Sequence, residues 1–277
     1  MHYRGAAMPE VIERCGEMDG QPVFWREAPG DGVPVLYLHG VPTSSDDWID
    51  FLAVTGGLAP DLPGFGRTTK RADNDYTMYG LAAWLEGFLA ERGLDRVRLV
   101  VHDWGVVGLL WAMREPERVE RLVVINAVPL LPGYRWHRWA RMWRTPVLGE
   151  LAVGSMVRPV VKLATREATP RRGSMPDRFL DEVDAHFDQG TQRAVLRLYR
   201  GAGEEQLARA GADLGRITCP ALVLWGRADP YIPERFAHGY AAALGDATLE
   251  LVDDAGHWPW IDRPDVVGRV AGFLAEA

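Results

Sequence analysis

The feature that most constrains the fold is an alternation of two kinds of segment along the chain. Short apolar runs rich in Val and Leu are separated by longer segments whose apolar residues recur every three or four positions. These are the periods of strands and of amphipathic helices, and their alternation is typical of an α/β sheet built from βα units. The predicted strands are residues 11–17, 21–26, 34–39, 97–101, 121–125, 221–225 and 248–252.

Amphipathic helices are predicted between these strands. In the segment 78–92, apolar residues such as Leu81, Leu85 and Phe88 form one stripe that can pack on a sheet. The run 33–38 is apolar at both odd and even positions, which predicts a central strand buried on both faces. The predicted helices are residues 45–54, 78–92, 105–114, 233–243 and 264–276.

The segment 127–217 differs from the rest of the chain. Aromatic and Arg residues become dense, strand signals fade, and helical stretches such as 179–187 and 192–200 dominate. Because both flanks are needed to complete one sheet, we interpret this segment as a helical lid over the carboxyl edge of the sheet rather than as an independent domain. The predicted core is therefore residues 1–126 and 218–277, and the predicted lid is 127–217.

Charge and cysteine content limit the partners and the compartment. The net charge of −7 argues against a nucleic-acid or an anionic-membrane partner. Cys15 and Cys219 are far apart and show neither a disulfide framework nor a metal-binding spacing, which favours a reducing, cytoplasmic location. No apolar run reaches the roughly 18 residues of a membrane span, and residues 1–10 lack the apolar core of a signal peptide.

The segment 97–105 predicts a strand that turns sharply into a helix at Asp103. Such an elbow raises one side chain above the sheet; serine hydrolases have Ser there, but this chain has no Gly-x-Ser-x-Gly. A carboxylate needs no base to become a nucleophile, and the helix N-terminus and the N–H groups of the turn favour its ionised form. We therefore predict Asp103 as the nucleophile, the alternative being a simple helix N-cap.

Two further residues follow in the order nucleophile, acid, histidine. Asp229 lies just beyond the predicted strand 221–225, and His257 lies in the loop after the last strand. There His257 can act as a general base while Asp229 holds its Nδ1–H. The alternatives are a solvated loop Asp and a His bonded only to backbone; Asp253 and Asp254 are the less favoured acids.

The segment His39-Gly40-Val41-Pro42 also follows a predicted strand. Gly40 permits a sharp turn, so the backbone N–H groups of Val41 and Trp104 can converge on one oxyanion. His39 itself is expected to be a packed, hydrogen-bonded residue rather than a catalyst. The segment 61–67 is expected to form another tight turn at this edge and lacks the third Gly of a dinucleotide site.

Together these motifs resemble the α/β-hydrolase superfamily, in its epoxide hydrolase and haloalkane dehalogenase branch. The resemblance covers nearly the whole chain. It implies an α/β-hydrolase fold, with a mostly parallel central sheet flanked by helices and an inserted helical lid, and no metal or organic cofactor. The motifs that carry it are His39-Gly40-x-Pro42, Asp61-x-Pro63-Gly64-x-Gly66, His102-Asp103-Trp104-Gly105, Gly226-x-x-Asp229 and Gly256-His257.

Two departures from the family pattern concern the elbow and the acid. Val101 stands where the elbow usually has Gly, and Asn126 cannot be the alternative acid that some dehalogenases carry after that strand, which leaves Asp229. Both branches share a mechanism in which the Asp forms an alkyl ester with the substrate. Water activated by the His then hydrolyses this ester.

The two branches differ in how they stabilise the leaving group. Epoxide hydrolases protonate the alkoxide from lid tyrosines; Leu198-Tyr199-Arg200 resembles such a stretch, and Tyr134 lies early in the lid. Dehalogenases bind the halide with the Trp after the nucleophile and a second Asn or Trp. Here Trp104 is common to both branches, and Val41 fills the usual Asn position. The lid residues that could supply the second N–H are Trp136, Trp139 and Trp143.

We therefore predict an epoxide hydrolase that forms vicinal diols from a small apolar epoxide, with water as its only cosubstrate. A haloalkane dehalogenase with the same triad is the first alternative. Packing within the lid is the simpler explanation for most of its aromatic residues. A non-catalytic ligand-binding protein of the same fold is the third possibility, although an intact triad argues against it.

Overall fold

The computed structural model describes residues 9–170, 173 and 175–276. Its centre is one eight-stranded sheet with the strand order β1-β2-β4-β3-β5-β6-β7-β8. The strands are β1 (Ile12–Met18), β2 (Gln21–Ala28), β3 (Val35–Leu38), β4 (Gly57–Pro60), β5 (Val97–His102), β6 (Val119–Ile125), β7 (Pro220–Gly226) and β8 (Asp246–Val252).

Strand direction brings the motif-bearing loops to one edge of the sheet. β2 runs antiparallel to β1 and β4, whereas β4, β3, β5, β6, β7 and β8 run parallel to one another. Parallel strands have their carboxyl ends at the same edge, so the segments that follow β3, β5, β6, β7 and β8 meet there. Every residue of β3 is buried, as the run of apolar residues predicts.

Strand β4 was missing from the sequence-based prediction. Its four residues, Gly-Leu-Ala-Pro, contain no β-branched or aromatic side chain and show no alternation. Its position is set by pairing, since Trp25 of β2 lies opposite Pro60 and Leu36 of β3 lies opposite Leu58. Tertiary contacts rather than local propensity therefore define this strand.

The predicted helices flank the sheet, with shifted ends. The predicted helix 105–114 begins earlier, as a 3-10 turn at Asp103–Val106, and 45–54 begins with the 3-10 turn Ser45–Trp48. The helices of the core are α1 (Ile49–Thr55), α2 (Met78–Glu91), α3 (Val107–Ala112), α10 (Arg235–Ala243), α11 (Pro259–Asp262) and α12 (Asp265–Ala275).

The chain between β6 and β7 forms helices. They are α4 (Arg138–Arg144), α5 (Leu148–Gly154), α6 (Arg158–Ala164), α7 (Asp177–His186), α8 (Gln189–Arg200) and α9 (Glu204–Ala210). The architecture is thus an α/β-hydrolase fold with an inserted helical lid, which confirms the predicted fold class. The exact lid boundaries, 127 and 217, stay a prediction.

Several expectations concern features outside the sheet. Among the described helices, none is long and apolar enough to cross a bilayer. Residues 1–10, in which the sequence predicts no signal peptide, lie largely outside the described residues, which begin at residue 9. Cys15 and Cys219 are both free thiols. The cytoplasmic location stays a prediction.

Candidate active site

The turn after β5 carries Asp103 in a backbone conformation that few non-glycine residues adopt. The φ of Asp103 is +49°, in the left-handed region. Two glycines allow the close approach of the neighbouring segments. A Cβ on Gly40 would lie 2.5 Å from the Asp103 Cβ, and one on Gly105 would lie 2.1 Å from the Leu38 carbonyl oxygen. The elbow therefore holds the Asp103 carboxylate against the loop that follows β3.

Three predicted side chains meet at this edge in a chain of short contacts. The Nε2 of His257 lies 3.5 Å from Oδ2 of Asp103. Its Nδ1 lies 2.8 Å from Oδ2 of Asp229. The backbone N–H of Val41 donates to Oδ1 of Asp103 across 2.9 Å, from the side where an oxyanion site was expected. All three side chains are less than a tenth exposed.

The positive charge of His257 and the negative charges of Asp103 and Asp229 stabilise one another. Burial alone lowers the pKa of His257, but the carboxylates of Asp229 and Asp103 outweigh it and raise the pKa to about 10. Burial favours the neutral form of Asp103, but the hydrogen bond and charge of His257 and the N–H of Val41 hold its pKa below the usual value. The resting site therefore combines an ionised Asp103 with a protonated His257.

Asp229 is fixed by four donors. Its Oδ1 accepts the backbone N–H groups of Tyr231 (2.7 Å) and Ile232 (3.0 Å). Its Oδ2 accepts the Asn126 amide at 2.7 Å in addition to His257. The competing acids lie elsewhere: Asp253 is exposed and pairs with Arg227, and Asp254 is exposed. Only Asp229 is in contact with the imidazole among the acids weighed for this role.

The loop residues around the elbow also reach their expected places. His39 is fully buried; its Nδ1 donates to the Gly40 carbonyl and its Nε2 accepts the Leu62 N–H. Asp61 accepts the backbone N–H groups of Ser45 and Arg67, each at 2.7 Å. The two turns are thus tied together behind the cavity, and His39 has the packed, bonded setting predicted for it.

A cavity of about 360 Å³ separates Asp103 from the lid. Its wall is dominated by aromatic and aliphatic side chains; Ser155 and Thr165 add polar groups from the lid, and Asp103 and His257 meet at the sheet edge. This is the usual character of a site for a small apolar molecule. Besides these four residues, the wall includes Val41, Val128, Tyr134, Trp136, His137, Met142, Trp143, Leu148, Leu151, Met156, Val160, Phe179, Tyr199, Tyr231 and Trp258.

Both predicted tyrosines line this cavity. The ring of Tyr199 lies between those of Trp104 and Trp143, with centroids 5.2 and 5.0 Å away. Its phenol oxygen is beside the Trp104 indole N–H, although not in the geometry of a full hydrogen bond. The Tyr134 hydroxyl makes one long contact, 3.5 Å, to the Tyr231 carbonyl. Burial and the charge of Asp103 raise the pKa of both phenols, so both stay protonated.

The tryptophans proposed as hydrogen-bond donors to a halide differ in whether their indole N–H groups already have a partner. Trp136 donates to the Ala202 carbonyl and Trp139 donates to the Glu167 carboxylate, so both are occupied. The indole N–H groups of Trp104 and Trp143 are buried and, in the described part of the chain, have no hydrogen-bond partner. Trp143 is therefore the one lid tryptophan of the three whose N–H is not already used in a hydrogen bond.

Sequence reasoning missed three groups, two that line the cavity and one behind Asp229. Asn126 was weighed only as an acid, yet its place directly after β6 was a signal that it could reach Asp229. Tyr231 follows Asp229 by two residues, and its ring packs 5.1 Å from that of His257. His137 caps α4 by accepting the Ala140 N–H, and burial lowers its pKa to about 4. Nothing in the lid sequence distinguished His137 from a packing residue.

No group of three His, Cys, Asp or Glu side chains within residues 9–170, 173 and 175–276 is arranged to hold a metal ion. The arrangement that is present, a carboxylate on an elbow with an imidazole and a second carboxylate behind it, can perform nucleophilic substitution followed by ester hydrolysis.

Comparison with known proteins agrees with this class of fold. Residues 35–270 match the model of the alpha/beta hydrolase family, and the chain belongs to that family. It is 29% identical to a haloalkane dehalogenase of Bradyrhizobium diazoefficiens, over 96% of this chain and 95% of that protein. These findings confirm the resemblance noted from the motifs, and the protein is a hydrolase of the α/β type.

Solved structures agree with the fold. The haloalkane dehalogenase DbeA from Bradyrhizobium elkani superposes with a TM-score of 0.82 at 25% identity, covering 96% of this chain and 98% of that one. The epoxide hydrolase CorEH superposes with a TM-score of 0.80, covering 96% of this chain and 99% of that one. At 20% identity, the second likeness concerns the fold alone.

Proposed function

We propose that this hydrolase opens epoxides to vicinal diols, with Asp103 as the nucleophile. The ionised carboxylate attacks an epoxide carbon, the carbon–oxygen bond of the ring breaks, and an alkyl ester forms with an alkoxide beside it. No base is needed in this step, because the low pKa of Asp103 already supplies the anion. The apolar cavity supports a substrate without charge.

The observation that carries the proposal is the Tyr199 hydroxyl at the wall shared with the nucleophile. It lies beside the indole of Trp104, the residue next to Asp103, and its raised pKa keeps the proton on the phenol. An alkoxide formed there can take that proton. Tyr134, whose own hydroxyl contact is long, is the second proposed donor.

The second step is assigned to His257 and Asp229. Once Asp103 is esterified it loses its charge, so the pKa of His257 falls and its proton can restore the Tyr199 phenol. Neutral His257 then takes a proton from water, and the hydroxide attacks the carbonyl carbon of the ester. The N–H of Val41, 2.9 Å from Oδ1 of Asp103, and the backbone N–H of Trp104 are the proposed oxyanion donors. Diol release returns ionised Asp103 and protonated His257, so the cycle releases no proton.

Haloalkane dehalogenation is the second candidate, favoured by the two unpartnered indole N–H groups of Trp104 and Trp143. The same attack by Asp103 would expel a halide that these groups can bind. The dehalogenase relatives support this alternative. The proton count differs from that of the epoxide reaction, because each turnover releases one halide and one proton.

A paired substrate assay separates the candidates. The wild type is incubated with terminal epoxides and with matched 1-haloalkanes in weak buffer, and diol, halide and released protons are measured. The proposal predicts diol without proton release. Halide and protons in equal amounts, with no diol, would assign the dehalogenase instead. Binding without turnover on both panels would favour a non-catalytic ligand-binding protein. Asp103→Ala is the control for background hydrolysis.

A further inference from the structure

The exposed apolar side chains of this protein are concentrated in one part of the lid. Nine large apolar residues are exposed in the described ranges, and six of them lie between residues 147 and 163. Exposed apolar residues scattered singly are ordinary, whereas a cluster marks a surface that contacts something apolar. The six form what we call the lid patch: Val147, Leu148, Leu151, Val157, Val160 and Leu163.

Three residues of the lid patch also belong to the wall of the Asp103 cavity. Leu148 and Leu151 of α5 and Val160 of α6 line the cavity, yet they are 48%, 68% and 38% exposed. A side chain that borders both the cavity and solvent lies at the cavity opening. The opening is therefore framed by apolar groups from two successive lid helices, together with the exposed Ser155 between them, which also lines the cavity.

The cavity that these three lid-patch residues border also contains Asp103, and most of its other lining side chains are apolar. Met156, Val161, Phe179 and Trp143 are among them. Each of these four is buried or half-buried. A molecule that reaches Asp103 can thus stay in contact with apolar side chains until it emerges over α5 and α6.

We propose that the substrate carries an alkyl chain, whose far end leaves the cavity and lies on Leu148, Leu151 and Val160. This inference rests on the proposed function for the reacting end of the substrate and adds the class of its tail. Burying a methylene group on apolar surface contributes about 0.8 kcal/mol, which is roughly fourfold in affinity. At the opening the chain is covered on one side only, so each methylene there is expected to raise the affinity by less, about twofold.

A binding measurement tests the tail without requiring any chemistry. The unreactive alcohols butanol, hexanol, octanol, decanol and dodecanol are titrated into the wild type by calorimetry, below their solubility limits. We expect the dissociation constant to fall throughout the series, steeply for the short chains and about twofold per methylene for the longest.

Variants with a matched control locate the effect. Leu151→Ser and Val160→Ser are expected to remove the gain between octanol and dodecanol and to leave butanol binding unchanged. Leu163→Ser is the control, because Leu163 has the same 68% exposure as Leu151 but does not line the Asp103 cavity. It is expected to bind the whole series like the wild type.

Three results would overturn the inference. The first is equal affinity of the wild type for octanol and dodecanol. The second is an equal loss in Leu163→Ser, which would indicate general surface hydrophobicity. The third is a wild-type dimer that Leu151→Ser dissociates while the chain-length gain persists, which would assign the lid patch to a second copy of this chain.

Failure of this inference and failure of the proposed reaction give different results. If the alcohols show the chain-length gain but neither epoxides nor haloalkanes turn over, the tail site stands and the reaction is wrong. If short epoxides yield diol but the dissociation constants of the alcohols do not fall beyond octanol, the reaction stands and the tail site is wrong. The same series of terminal epoxides then reports whether kcat/KM follows the binding.

Discussion

Asn126 donates its side-chain N–H to Oδ2 of Asp229 across 2.7 Å, the same oxygen that faces Nδ1 of His257. Asn126 is itself held by Gly226, whose N–H it accepts at 2.9 Å and whose carbonyl it approaches at 3.3 Å. The amide thus connects the end of β6 to the loop after β7. It orients the carboxylate that in turn orients the imidazole.

Replacing Asn126 tests this positioning role. In Asn126→Leu the amide donor to the buried carboxylate is lost, which is expected to lower the free energy of unfolding by about 1 to 3 kcal/mol. Because only ester hydrolysis depends on the Asp229–His257 pair, we expect that step to slow about tenfold or more, while ester formation changes little. Rapid-quench measurement of both steps checks this. A slowed first step with a normal second step would contradict the assignment.

Removing the imidazole should separate the two steps completely. In His257→Gln, Asp103 can still attack the substrate, but no base activates water, so the alkyl ester is expected to accumulate in about one equivalent per protein. Intact-protein mass spectrometry detects the added mass. Asp103→Ala should show no adduct with the same substrate, and an adduct in that variant would place the ester on another residue.

The two leaving-group hypotheses predict opposite patterns for a pair of lid variants. Tyr199→Phe removes a hydroxyl, and it should reduce epoxide opening about a hundredfold or more while affecting dehalogenation far less. Trp143→Phe removes an unpartnered indole N–H, and it should reduce only halide release. Ratios of kcat/KM on matched epoxides and haloalkanes give the comparison. Equal losses on both substrates in Tyr199→Phe would remove the tyrosine from the mechanism.

The raised pKa of His257 makes stability depend on pH in a defined direction. Its pKa is about 10 in the folded protein and about 6.5 in an unfolded chain. The stabilising contribution is therefore complete below about pH 6.5 and is lost as the pH rises through about 10. Urea unfolding from pH 6 to pH 10 should show a declining free energy in the wild type and a smaller decline in His257→Gln. Parallel curves for the two proteins would contradict the protonated state.

The sequence predicted what depends on local pattern and chain order. The apolar run of β3, the elbow at Asp103 and the order Asp103, Asp229, His257 all follow from spacing. Strand β4 did not, because Gly57–Pro60 has no strand propensity and is held only by its neighbours β2 and β3.

The sequence predicts the contacts of the cavity wall less well than it predicts the nucleophile. Whether an indole N–H is free depends on partners far along the chain, as in the bonds from Trp136 to Ala202 and from Trp139 to Glu167. No periodicity or motif encodes such pairs. The choice between leaving groups therefore requires lid geometry, although the motifs alone were enough to indicate the α/β-hydrolase fold.

The most direct test of the ester mechanism is one turnover in ¹⁸O-labelled water with protein in excess over epoxide. Since water attacks the carbonyl carbon of the ester, the account predicts one ¹⁸O in the Asp103 carboxylate and an unlabelled diol, read by peptide and product mass spectrometry. Label in the diol and none in Asp103 would mean that water attacks the epoxide directly, and would contradict Asp103 as the nucleophile.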